Sequence, residues 1–302
     1  MAVVPAAEQP VPAPAPTHTR RRTPLRSRVM GGVQGYAVLL CLLALLAVMF
    51  APFLIILINA IKTPTDLAAN GPLSIPMNPT LDNIATFWNA VDFGGALRNS
   101  IVISLLVAIF ATTLSVLNAF ALGIGRVRGA IWLLVFFMLA NILPNEAVVY
   151  PLYYMAKEVG LYNTQLAVVI IFTVIQSAFG TYFLSSIMRA FPKEILDAAR
   201  VDGCGKLQLL VRIVVPIMRP SIAVLMVFAF IWTWNEFYLP LVFLVDNSQY
   251  TVPVAVAVTQ GQHMMNESQV AASALLGVLP CVIFFLMFQR TLTRGITAGS
   301  YR

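Results

Sequence analysis

Apolar residues fall in long blocks along this chain, and the blocks predict its elements. Val29 to Ile61 holds 33 consecutive uncharged residues, with a dense apolar stretch from Ala37 to Ile58. That run is too long for the apolar region of a signal peptide and long enough to remain as a first membrane helix. Asn99 to Gly125 and Val159 to Met188 are also uncharged throughout. Ala130 to about Met155 is apolar but interrupted by Pro144, Glu146 and Pro151. A fifth block runs from about Ile213 to Val245, with Arg219 and Pro220 near its start and Glu236 inside it. The sixth, Ser268 to Gln289, is 22 residues without a charge. At about 1.5 Å per helical residue each can cross roughly 30 Å of hydrocarbon. The expected fold is therefore an all-α integral membrane protein with six transmembrane helices.

Composition agrees. Of 302 residues, 59% are hydrophobic and only 10% charged, against about a quarter charged in soluble domains. Residues 1 to 28 form a separate zone, Pro- and Ala-rich and then basic through Arg20, Arg21, Arg22, Arg26 and Arg28. Prolines at alternate positions from Pro10 to Pro16 remove helix donors, and no apolar face compensates for ordering. The expected organisation is a disordered basic tail over 1–32 and a transmembrane domain over 33–302. Placing the amino terminus in the cytoplasm puts 16 of the 19 Lys and Arg on that side, leaving Lys62, Arg98 and Lys157 outside. This asymmetry follows the positive-inside rule, with both termini cytoplasmic. The net charge of +7 then has a topological origin and requires no nucleic acid. Two external loops are expected, 62–97 with Pro64, Pro72, Pro76 and Pro79, and 246–267 without Lys or Arg. Long loops of this kind suggest an external partner or substrate. Cys41, Cys204, Cys281, His18 and His263 are isolated, so neither a metal site nor a disulfide framework is expected.

The most informative segment is the cytoplasmic stretch from Phe191 to Gly205, FPKEILDAARVDGCG. Pro192 suits the first helical position and Gly203 the residue past the end, so a short helix from 192 to about 202 is expected. Lys193, Asp197 and Arg200 share one face, and Ile195, Leu196 and Ala199 another. A free helix of about ten residues is marginal in water. Neighbouring helices or another protein must hold it.

The order Asp197-Ala198-Ala199, Asp202-Gly203, Ile213-Val214-Val215-Pro216 and Pro220 resembles the EAA loop of binding-protein-dependent ABC importer permeases. Phe230-Ile231-Trp232-Thr233-Trp234-Asn235-Glu236-Phe237 with Pro240-Leu241 is similar to the sugar-transport branch, of the maltose-permease G type. The ending Phe288-Gln289-Arg290 with Arg294-Gly295-Ile296-Thr297-Ala298-Gly299 resembles it too. The resemblance covers roughly 33 to 302. Asp197 stands where the family usually has Glu, and Cys204 where Ala is common.

The resemblance implies a permease subunit of an ATP-driven importer, part of the path for a sugar or oligosaccharide delivered by an external solute-binding protein. The implied partners are a second, non-identical permease and two copies of an ABC ATPase, which carry ATP and Mg. This chain has no G-x-x-x-x-G-K-[ST] sequence, so it has no P-loop, binds no cofactor of its own and is not an enzyme. The short cytoplasmic helix is implied to sit in an ATPase cleft, with Glu194, Asp197, Ala198, Ala199, Asp202 and Gly203 as coupling residues.

An ionisable residue within a span is costly enough to suggest a pathway role. Glu236 is the leading case, and Trp232, Trp234, Asn235 and Asn118 join it as translocation-path candidates. Asn141, Gln176 and Glu146 are weaker ones, because amides also join helices. Tyr150, Tyr153 and Tyr154 suit an interfacial belt or packing. The loop from Tyr250 to Met265 resembles one that reaches into the binding protein, so Gln260, Gly261, Gln262 and His263 are candidates for that contact. The rival reading is an ion-coupled secondary transporter using Glu236 and Glu146.

Overall fold

A computed structural model describes residues 33–125, 127–262 and 266–298; the expected tail over 1–32 lies outside the described residues. Helix α1 (Val33–Ala60) opens the described chain. Two compact units divide within it, Met1–Pro52 and Phe53–Arg302. In the first, every side chain from Tyr36 to Phe50 is exposed, a surface suited to lipid.

The second unit holds the remaining helices: α2 (Pro64–Asn70), α3 (Asp82–Ala90), α4 (Phe93–Gly123), α5 (Ala130–Ala140), α6 (Asn145–Glu158), α7 (Gln165–Arg189), α8 (Lys193–Val201), α9 (Lys206–Leu209), α10 (Val215–Asn235), α11 (Tyr238–Phe243), α12 (Val252–Gln262) and α13 (Glu267–Ala298). Five helical runs are long and apolar enough to cross a membrane, α1, α4, α7, Lys206–Asn235 and α13, or six if a bent pair counts as one span.

That bent pair occupies the expected third span. Instead of one rod from 130 to 155, α5 and α6 meet at 94°. Pro144 cannot donate a backbone hydrogen bond, and it biases the residue before it away from helical torsions. Asn141 closes α5 by donating from Nδ2 to the carbonyl of Phe137 at 2.8 Å. With 11 residues, α5 is about 16 Å long, too short to span by itself.

The expected fifth span also shifts. It starts at Lys206, passes through a π-helical turn at Leu210–Val214, and ends at Asn235. The widened turn precedes Pro216, whose ring would otherwise press on the carbonyl four residues back. Glu236, expected inside the span, lies just beyond its last helical residue with extended torsions (φ −73°, ψ 130°). Its Oε1 accepts the N–H of Tyr238 at 3.2 Å in the first turn of α11. Nor are the two expected external loops irregular. Residues 62–97 contain α2, α3 and the start of α4, while 246–267 contains α12, with Val252 and Ala255 buried.

The centre of the unit is the pair α4 and α7, with α10 against both. In lipid, helices gain little from burying apolar surface against each other, so close approach through small residues carries the association. The seam shows this: Ser104, Ala108, Ala111, Ser115 and Ala119 of α4 and Ser177, Gly180, Thr181 and Ser185 of α7 are all buried. Ser115 Oγ donates to the carbonyls of Ala111 (2.6 Å) and Ser177 (3.3 Å). A Cβ on Gly180 would stand 2.8 Å from Ser115 Cβ and 2.9 Å from Leu225 Cδ2 of α10.

Candidate functional site

The site is built where α4, α7 and the Lys206–Asn235 run meet α8. Pro192, expected as the first helical residue, stands one position before the start of α8. The helix closes with paired hydrogen bonds, Cys204 N–H to Ala199 O at 3.0 Å and Gly203 N–H to Arg200 O at 3.1 Å. Gly203 carries φ +78°. This is the Schellman arrangement, which requires a left-handed residue and so favours glycine.

Leu196 and Ala199 anchor α8. They are buried in one cluster with Val116, Ala119 and Ile124 at the end of α4, Leu184 and Met188 of α7, and Leu209, Leu210 and Val214. Displacing α8 therefore drags the ends of three spans, because a packed core shifts between discrete arrangements and does not yield smoothly. Ala199, one of the implied coupling residues, faces this interior. Ala198, Glu194, Asp197, Asp202 and Gly203 are exposed, together with Ile195 and Val201. Asp197 is paired within its own helix to Arg200 at 2.9 Å; an exposed i, i+3 pair of this kind contributes at most about 1 kcal/mol. Beside α8 a cleft of about 220 Å³ is lined by Gly123, Met188, Phe191, Lys193, Leu196, Asp197 and Arg200 among others.

The path candidates separate. Trp232, Asn235 and Glu236 come together with Phe228 and Ile231 around a shallow depression of about 380 Å³. Trp234 turns the other way: it is buried and stacks edge-on against Phe284 at 4.8 Å, beside Phe230. Asn118 lies on the α4–α7 seam, donating to Thr181 Oγ1 at 3.3 Å. Gln176 donates to Thr233 Oγ1 at 2.7 Å and joins α7 to α10. Gln260, Gly261 and Gln262 form the last turn of α12; the surroundings of their side chains, and His263, lie outside the described residues.

Sequence reasoning missed the polar latch at the opposite end of the unit. Asn163 adopts φ +60°. Its Oδ1 accepts the N–H groups of Val245 (2.9 Å) and Asp246 (3.1 Å), and its Nδ2 donates to Asp246 Oδ2 at 2.6 Å. Asn99 donates to the carbonyls of Ser248 and Tyr250 and accepts from Gln165 Nε2. The one local signal was asparagine itself, which tolerates left-handed torsions better than most residues.

Comparison with known proteins decides the family. Residues 96–298 match the profile of the binding-protein-dependent transport system inner membrane component. The chain belongs to that family. This permease is similar to the arabinooligosaccharides transport system permease protein AraQ of Halalkalibacterium halodurans, at 29% identity over 83% of this chain and 90% of that one. It is also similar to the trehalose transport system permease protein SugB of Mycobacterium tuberculosis (29%, covering 79% and 88%) and the melibiose/raffinose/stachyose import permease protein MelC of Bacillus subtilis (28%, covering 84% and 91%). Its fold matches the crystal structure of a bacterial ABC transporter involved in the import of the acidic polysaccharide alginate, with a TM-score of 0.72, 18% identity, and coverage of 84% and 94%. Membership makes this permease a transport component of the membrane, and the ion-coupled alternative finds no support. Among the described residues no group of three or more His, Cys, Asp and Glu side chains could hold a metal.

Proposed function

We propose that this permease is one of two non-identical membrane subunits of an ATP-driven sugar importer, served by two copies of an ABC ATPase and an external sugar-binding protein. The observation that carries the reading is the construction of α8. Its inner residues Leu196 and Ala199 are locked into the ends of α4, α7 and the Lys206–Asn235 run, while Ile195, Ala198 and Val201 present an exposed apolar edge. Such an edge on a short, firmly rooted helix suits insertion into a partner's cleft. ATP and Mg belong to that partner. Closure of the ATPase pair pushes α8, and α8 moves the spans between outward-open and inward-open arrangements.

A sugar is the substrate class favoured by the named relatives, which are permeases for arabinooligosaccharides, trehalose, and melibiose, raffinose and stachyose. The depression at Trp232, Asn235 and Glu236 offers an aromatic face beside an amide and a carboxylate, a combination that suits apolar ring faces flanked by hydroxyls. In this reading both termini are cytoplasmic, as the distribution of basic residues favours. Gln260, Gly261, Gln262 and His263 are the proposed contacts for the binding protein.

Affinity purification of the tagged permease from native membranes in mild detergent tests the assembly. An ATPase subunit and a second permease should co-purify; recovery of this permease free of any ATPase would count against the proposal.

A further inference from the structure

Lys62 is completely buried, at 0% exposure. Removing an ammonium from water costs several kcal/mol unless it is well hydrogen-bonded. Its amine donates to the carbonyl of Gly71 at 2.8 Å and to Ser74 Oγ at 2.9 Å. What the lysine holds is a strap, residues 71–81, GPLSIPMNPTL. Two more bonds staple it: Asp66 Oδ2 accepts the N–H of Met77 at 3.1 Å, and Ile61 O accepts the N–H of Thr80 at 2.8 Å. The Asp66 carboxyl is held below its ordinary range, first by the Asn70 amide, then by the Met77 N–H, with the Lys62 charge adding to them.

Pro72, Pro76 and Pro79 keep the strap out of helix. Ser74 and Pro76 are half-buried, while Leu73, Ile75 and Met77 are 78%, 83% and 76% exposed. Leu81 follows, also exposed. Four staples thus fix a backbone that exposes these apolar side chains, with Asn78 an exposed amide among them, and no charged residue occurs between Asp66 and Asp82.

The position of the strap points to its occupant. It follows closely on Ala60, the end of α1, whose last turns expose Leu54 and Leu57 in the same unit. Helix α3, directly after the strap, exposes Trp88, a residue type that favours the membrane–water boundary. Phe87 beside it shares a buried cluster with Leu276, nine residues inside the apolar run Glu267–Arg290. The Thr80 N–H bonds to the carbonyl of Ile61, one residue beyond α1, so the strap stands level with the end of that span.

We propose that residues 73–81 insert Leu73, Ile75, Met77 and Leu81 into the lipid leaflet at which α1 ends, as an interfacial anchor that fixes the depth of that helix end. In the proposed orientation this is the outer leaflet. The absence of charge between Asp66 and Asp82 suits acyl chains.

The test places a benzophenone photo-cross-linking residue at position 75, and at exposed Val201 as a control, in the full chain expressed with its native partners. After irradiation of intact membranes, the 75 variant should carry lipid adducts by intact-mass measurement, several-fold above the control. Ser74→Ala, which removes one staple, should lower that yield in a complex recovered at normal abundance. A cross-link from 75 to another protein, or no adduct above the control, would overturn the proposal.

Discussion

An Ala198→Trp permease is expected to reach the membrane at normal abundance and to lose sugar uptake together with transport-coupled ATP hydrolysis. Ala198 is exposed on α8 between Ile195 and Val201, so an indole there disturbs nothing inside the permease. In the proposed coupling it blocks seating of the apolar edge in the ATPase cleft. Coupling free energies between sites are about 1–3 kcal/mol, which sets the expected loss at roughly 5- to 150-fold. Ala199→Trp reports on a different quantity. Ala199 is buried in the cluster that roots α8, and a larger side chain there overpacks the permease itself. Uptake and ATPase rates in proteoliposomes, normalised to permease recovered from the membrane, separate the two. Unchanged coupling in Ala198→Trp would remove α8 from the mechanism.

The second large effect is expected at Gly180. A methyl group there meets Ser115 Cβ across the α4–α7 seam and Leu225 of α10. Leu225 can rotate, but Ser115 Cβ is fixed to the backbone of the facing helix, so the helices must part. Overpacking of this kind costs about 1–3 kcal/mol, and the loss also reaches Ser115's hydrogen bond to Ser177 O. Gly180→Ala should lower the thermal unfolding temperature of the purified complex and its yield. Adding Ser115→Gly removes the opposing Cβ and should recover the overpacking part of the loss, the Ser115–Ser177 hydrogen bond staying absent. Failure of the double variant to recover would mean that the seam is not set by this approach.

Much of the architecture is legible in the sequence because a bilayer imposes a length rule that local chemistry cannot hide. The uncharged runs at 29–61, 99–125, 159–188 and 268–289 all contain an apolar helix of spanning length. The third and fifth runs differ because hydropathy does not register backbone geometry. Pro144 turns the chain through 94° without changing its apolar character, and the π-helical turn before Pro216 lets a helix continue through prolines that would be expected to break it. The boundary signals of α8 were local and therefore readable: Pro192 just outside its start and Gly203 at positive φ past its end. Its orientation was readable in part: Leu196 and Ala199 are buried together as their spacing groups them, whereas Ile195, grouped with them, is exposed because the ends of α4 and α7, distant in sequence, decide how wide the buried face is. The same limit applies to Trp232 and Trp234, two residues apart and on different faces of α10, and to Lys62, whose burial rests on the strap closing over it.

The central claim is that this chain is a gate moved by a separate ATPase through α8. Its most direct test is solute accumulation in sealed vesicles reconstituted with this permease alone and, in parallel, with its co-purifying permease, ATPase and binding protein. The account predicts ATP-dependent accumulation of sugar only in the complete set, with none from the single subunit. Accumulation by vesicles holding this permease and no other protein would contradict it.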